Sequence, residues 1–272
     1  MFSPYYALQR RRGPADPFDH AAMNVALYGD AGKRWAMTER GRAGLVRTAD
    51  TLAIGPSRAT WEGDALVLAI DEVTVPIPSR LKGRVRFHPA VLTGASFALD
   101  AGGDHRWFPV APFGRIEVEF ERPRLTWRGA GYLDSNRGEA PLSRDFSRWD
   151  WSRAATRDGA AVLYDVERRD GTDLPLALAI GRDGAVTAFE PPPRATLPST
   201  GWRIARGTRT EPGAPASVAV TLEDTPFYAR SLVAHRLKGE DVRSVHESLS
   251  LDRFASPVVQ MMLPFKMPRR RR

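Results

Sequence analysis

The chain contains no cysteine, which removes disulfides, thiolate nucleophiles and cysteine-ligated zinc together. No apolar run approaches the roughly 18 residues that a membrane-crossing helix requires. The first twenty residues hold the basic triplet Arg10–Arg12 and no apolar h-region, so no signal peptide is expected. Lysine is scarce: Lys33, Lys82, Lys238 and Lys266 are the only four among 40 basic residues, a bias that reads as GC-rich coding. The net charge of +8 includes Arg269–Arg272, and the other arginines are scattered among acids. A nucleic-acid reader would cluster basic and aromatic residues, so no nucleic-acid partner is expected. The five histidines (His20, His88, His105, His235 and His246) form no His-x-His or His-Glu-x-x-His pair, and no metal site is called for. There is no Gly-x-Ser-x-Gly elbow, and Gly29-Asp30-Ala31-Gly32 lies inside a hairpin, not ahead of a helix. Dehydrogenase, kinase and serine hydrolase are poor readings.

What remains is a chain of 272 residues, 42% apolar and 26% charged, enough to bury a large core. Strand and turn signals run along nearly all of it. Asn24–Tyr28 and Arg34–Met37 flank a glycine-containing loop, as do Trp61 and Leu66–Ile70 around Glu62-Gly63-Asp64. Ser96–Leu99 and Arg106–Phe108 flank Gly102-Gly103-Asp104. Ile116, Val118 and Phe120 alternate with Glu117 and Glu119, a period of two. Leu163–Glu167, Leu176–Ile180, Val186–Phe189, Ser217–Leu222, Ser231–Leu237 and Val242–Leu249 continue the pattern, the last two around Lys238-Gly239-Glu240. Helical periodicity is nearly absent; one short C-terminal helix within Phe254–Leu263, starting near Pro257, is expected. Glu190-Pro191-Pro192-Pro193 reads as a linker. The expectation is an all-β protein of barrels or sandwiches, with one domain over residues 1–190 and a smaller one over residues 191–272.

The densest chemistry runs from Gly129 to Trp151. On a strand Tyr132 and Asp134 point to one face, and by the same rule His105 and Trp107 share a face. Two such pairs can line one cavity with an acid, an imidazole, a phenol and an indole. Equally, Asp134-Ser135-Asn136-Arg137-Gly138 reads as a polar turn and Trp107 as core.

At these residues the sequence resembles the carotenoid 1,2-hydratases, also called hydroxyneurosporene synthases. The resemblance is carried by Phe2-Ser-Pro-Tyr-Tyr6, Asn24-Val-Ala-Leu-Tyr-Gly29, Trp35-Ala-Met-Thr-Glu-Arg-Gly41 and Gly131-Tyr-Leu-Asp-Ser-Asn136. It continues through Arg148-Trp-Asp-Trp-Ser-Arg153, Thr225-Pro-Phe-Tyr-Ala-Arg-Ser231 and Glu247-Ser-Leu-Ser-Leu-Asp-Arg-Phe254. It implies two lipocalin-like (double-calycin) domains, with a strand ahead of Phe2-Ser-Pro-Tyr-Tyr6 that this chain lacks, leaving a neighbouring edge unpaired. It also implies addition of water across the terminal C1=C2 bond of an acyclic carotene such as neurosporene or lycopene, with no cofactor. The resemblance assigns Asp134 as proton donor, with His105, Trp107 and Tyr132 in support. A carotenoid- or lipid-binding carrier without chemistry is the alternative, although a carrier has no need of an acid facing aromatics. The implied setting is cytoplasmic, peripheral to the inner photosynthetic membrane. Phe265 and Met267, beside Lys266 and the Arg269–Arg272 tail, are the expected contact with anionic lipid.

Overall fold

The computed structural model describes residues 2–29 and 32–270; Asp30 and Ala31 of the first hairpin loop, and Arg271 and Arg272 of the tail, lie outside the described residues. The chain is mostly antiparallel β, as expected, and it divides into two compact units. One comprises Met1–Pro89, Gly114–Gly131 and Gln260–Arg272; the other comprises Ala90–Phe113 and Tyr132–Val259. The proline run Glu190–Pro193 falls inside the second unit. No helix among the described residues is long and apolar enough to cross a membrane.

In the first unit, Ala21–Leu27 pairs with Arg34–Arg40, and Leu45–Arg47, Thr51–Ile54, Ser57–Glu62, Ala65–Val73 and Arg80–Pro89 form a meander of adjacent antiparallel strands. Its core gathers Val25, Ala36, Ile70, Leu81, Val118 and Phe120, with Ile116 packed alongside. The alternation of Ile116, Val118 and Phe120 therefore does orient that strand, because one face is dry.

Two features of this unit depart from the sequence reading. Pro4–Arg12 is a helix, where no helical period was visible. Its signal lies at its ends: Ser3 Oγ accepts the Tyr6 N–H at 2.9 Å, Pro4 occupies the first turn, and Arg10–Arg12 meet the negative end of the helix dipole. The second departure concerns the tail. Met267 is buried, 4% exposed, and does not present a surface contact. Arg269 and Arg270 form a short parallel strand beside Glu39 and Arg40. The Arg269 guanidinium donates to the fully buried Glu39 carboxylate and, at 2.8 Å, to Asp19 Oδ2. A cation committed to two carboxylates is not offered to a lipid headgroup.

The second unit is built on a seven-stranded sheet. Its order is Val186–Ala188, Asp173–Gly181, Gly159–Arg168, Phe146–Thr156, Glu240–Ser250, Tyr228–Leu237 and Ser217–Asp224, with every neighbour antiparallel. The turn at Lys238-Gly239 joins two strands in register from Leu237↔Glu240, and both turn residues have positive φ, 53° and 77°. That is the geometry of a two-residue hairpin whose twist matches its strands. Ala154, Ala161, Leu163, Ala177, Leu237 and Val242 form a core cluster, and the hairpin Arg194–Leu197/Arg206–Arg209 pairs nearby. The C-terminal helical region is two helices, Leu251–Ala255 and Pro257–Lys266. Ser250 caps the first and Pro257 opens the second.

Candidate active site

The site lies in the second unit. His105 and Trp107 sit on the strand His105–Arg122, whose opening residues alternate buried and half-buried, with both on the buried face. Tyr132 and Asp134 occupy the adjacent strand Leu125–Gly138, again on one face. The polar-turn reading of residues 134–138 does not hold, since all five continue the strand.

Three of the four expected residues meet at one atom. Asp134 Oδ2 accepts the Trp107 Nε1–H at 2.8 Å and the Tyr132 O–H at 3.0 Å. Both donors are neutral, so nothing in this contact cancels a charge on the carboxylate. The Asp134 carboxyl is pushed above its ordinary value chiefly by burial; the two donors pull it back, and the charge of Glu247 adds to the rise. Burial wins, which favours the protonated acid. Tyr132 is raised as well, first by burial and then by Asp134, so it stays a phenol and a donor.

With Oδ2 engaged by two donors, the acid proton belongs on Oδ1. A carboxyl of this kind combines two properties. Its surroundings keep the proton on before transfer, and two preplaced hydrogen bonds steady the anion after it.

His105 takes a different place. Its Nε2–H donates to Asp145 Oδ2 at 2.8 Å, its backbone N–H donates to Asp100 Oδ1 at 2.7 Å, and its ring packs against Phe146 at 4.9 Å. None of its hydrogen bonds runs to Asp134. Gly138 is required beside it, because a Cβ there would collide with the imidazole. His105 thus ties the strand carrying Trp107 to the segment around Asp145.

Further aromatic residues complete the wall. Trp151 packs on Tyr132 with centroids 5.5 Å apart, and Tyr164 meets Trp107 edge to face at 5.8 Å. Phe97 lies 5.8 Å from Trp107, and Trp149 lies 6.2 Å from Tyr164. The Arg153 guanidinium stands 5.8 Å from the Tyr132 centroid and donates to the Pro112 carbonyl at 2.8 Å. Trp149, Trp151 and Arg153 share a face by the period of two in the Arg148–Arg153 run, and that was their available signal. Tyr164 alternates with Asp165 as Val166 does with Glu167, but what set it opposite Trp151 is cross-strand register, which leaves no local mark.

A half-buried carboxyl held by an indole and a phenol, and pushed toward its protonated form, lies within a lipocalin-like all-β fold. The fold is shared with an AttH-type protein of Nitrosomonas europaea, whose crystal structure matches with a TM-score of 0.58 over 84% of this chain and 80% of that one, at 13% identity. The chain belongs to the carotenoid hydratase family: the family model described as Carotenoid hydratase CrtC matches residues 1–272. It is 60% identical over 270 residues to the acyclic carotenoid 1,2-hydratase of Thiocapsa roseopersicina, covering 99% of this chain and 67% of that protein. It is 41% identical over 271 residues to the acyclic carotenoid 1,2-hydratase of Cereibacter sphaeroides, covering 99% and 95%.

Proposed function

We propose that this chain adds water across the terminal C1=C2 bond of acyclic carotenes such as neurosporene or lycopene, with Asp134 as the proton donor. The observation that carries this reading is the half-buried Asp134 carboxyl, raised by desolvation and held through Oδ2 by Trp107 and Tyr132. A trisubstituted alkene is a very weak base, so protonation at C2 is the costly step. It demands an acid still protonated near neutral pH, and desolvation moves Asp134 in that direction. The cation left at C1 is tertiary, and the faces of Trp107, Tyr132, Trp151 and Tyr164 stabilise it by cation–π attraction, about 2 kcal/mol or more where water is excluded. Water then closes on C1 to give the tertiary alcohol. His105 acts here by positioning, through Asp145.

Carotenes reach the protein from a bilayer, so peripheral contact with an anionic membrane is part of this reading. The first unit offers Phe265, 76% exposed, and Met261, four residues earlier on the same helix, next to Lys266. Vesicle sedimentation with Phe265→Ser and Met261→Ser tests that contact; undiminished binding removes it.

Incubating lycopene-containing membranes with the protein in water enriched in heavy oxygen tests the reaction. Label in a tertiary alcohol at C1 supports hydration; unchanged lycopene ends this reading in favour of a carrier.

A further inference from the structure

Two sequence runs play no part in the proton donor: Thr225–Ser231 and Glu247–Phe254. The sheet register brings them to the acid. Arg230 is paired with Glu247, Glu247 with Trp151, and Trp151 with Tyr164, so these four residues form one rung across four strands on a single face. Tyr164 meets Trp107 and Trp151 meets Tyr132, the two donors to Asp134. The next position on the rung is a carboxylate. Glu247 Oε1 accepts the Arg230 Nε–H at 3.0 Å and Nη2–H at 2.6 Å, and no hydrogen bond among the described residues reaches Oε2. Its side chain is 24% exposed, so water reaches it. Both Asp134 and Tyr164 feel its charge.

Hydration needs two proton steps, and the groups already described serve only one. His105 is occupied by Asp145, and Arg153 is a cation with no lone pair to offer. Asp134, once ionised, has Oδ2 held by two donors, which weakens it as a base. We propose that Glu247 is the base of this site and takes the proton from the water that captures the carotene cation.

This assignment rests on the reading of Asp134 as the acid. As the Asp134 O–H bond breaks, the C1=C2 electron pair forms the new C2–H bond. A water lone pair then forms the C1–O bond, and one water O–H bond breaks as its proton passes to Glu247 Oε2. Return of that proton to solvent, and of one from solvent to Asp134, restores both groups with no oxidant or reductant. The two carboxyls are separated in character by their partners. Asp134 sits among rings and neutral donors; Glu247 sits beside a guanidinium and solvent.

The experiment compares Glu247→Gln and Asp134→Asn in heavy water, with lycopene in vesicles and thermal melting as the fold control. Removing a general base lowers hydration by about 100-fold or more. In Glu247→Gln the acid still protonates C2, and the uncaptured cation returns to the alkene by losing a hydron from C2. Deuterium should therefore accumulate in recovered lycopene faster than alcohol forms, the reverse of the wild-type ratio. Hydration by Glu247→Gln within about threefold of wild type overturns the proposal. So does loss of both hydration and exchange, which makes Glu247 a support of Asp134. Should Glu247→Gln not fold, Glu247→Asp is read by the same ratio: exchange rising against hydration supports the base, and an unchanged ratio overturns it. Asp134→Asn should show neither hydration nor exchange; hydration by that variant defeats the acid reading itself, whatever Glu247 does.

Discussion

Two aspartates stand against opposite faces of the seven-stranded sheet and are partnered differently: Asp150, on one of its own strands, and Asp134, which the strand Leu125–Gly138 sets beside the other face. On one side, Asp150 accepts from Arg148 Nη2 at 2.7 Å and from Ser248 Oγ, with His246 3.9 Å away. His246 in turn reaches the Gly207 carbonyl at 2.6 Å, and Arg206 reaches Ser231 at 2.9 Å. Aspartate, histidine and serine cluster there more densely than at Asp134, yet the carboxylate is matched by a cation and a hydroxyl. On the other side, the rung of Tyr164 and Trp151 supports the two neutral donors of Asp134, and no cation among the described residues bonds to that carboxyl. A polar cluster that balances its own charge holds strands together. A carboxyl left without a counter-charge among aromatic rings is pushed toward its protonated form, and a transferable proton is what the proposed chemistry needs.

The sharpest way to break this contrast is to exchange each aspartate. Asp134→Asn should leave the melting temperature within a few degrees of wild type and lower hydration by about 100-fold or more. Product formation within tenfold of wild type, measured by chromatography of extracted carotenoids, would put Asp134 in the same class as Asp150. Asp150→Ala should do the reverse: it leaves the Ser248 hydroxyl and the Arg148 guanidinium without their acceptor, costing about 1–3 kcal/mol in denaturant unfolding. Activity per folded molecule should change little.

Smaller effects refine the picture of the donors. Trp107→Phe and Tyr132→Phe each remove one hydrogen bond to the carboxylate that forms during transfer, worth about 1.5–3 kcal/mol, or roughly ten- to a hundred-fold in rate. A silent substitution at either position would return that side chain to a packing role.

The smallest effect is on stability. Asp134 is raised in the folded protein above the ordinary value of 3.8, so the folded state binds its proton more tightly than the unfolded state. Its contribution is present in full below the unfolded value and is lost as pH rises through the folded one. Asp134→Asn should therefore gain stability relative to wild type as pH increases across that interval, and urea unfolding at several pH values reads it. A difference that is flat with pH would show that burial does not control this carboxyl.

Much of this architecture was legible in the chain. Period-two alternation put Tyr132 with Asp134 and His105 with Trp107, and both pairs share faces in the fold. Glycine-containing turns marked hairpins such as Leu237–Glu240. The helix Pro4–Arg12 escaped because it has no apolar stripe and declares itself only through its cap and its terminal charges. Met267 and Arg269 were read as surface groups because nothing local reveals that Glu39 and Asp19, more than two hundred residues away, receive the arginine.

Alternation and turn chemistry are local properties, so the sequence by itself determined that the chain would be β and which neighbours on one strand would share a face. Cross-strand register is not local. It placed Trp107 and Tyr132 on one oxygen of Asp134, turned His105 toward Asp145, and set Trp151 and Glu247 side by side. Strand order and the burial it creates also raised Asp134. Those were decided only by the tertiary structure, because desolvation depends on everything packed around a carboxyl and not on the residues beside it in the chain.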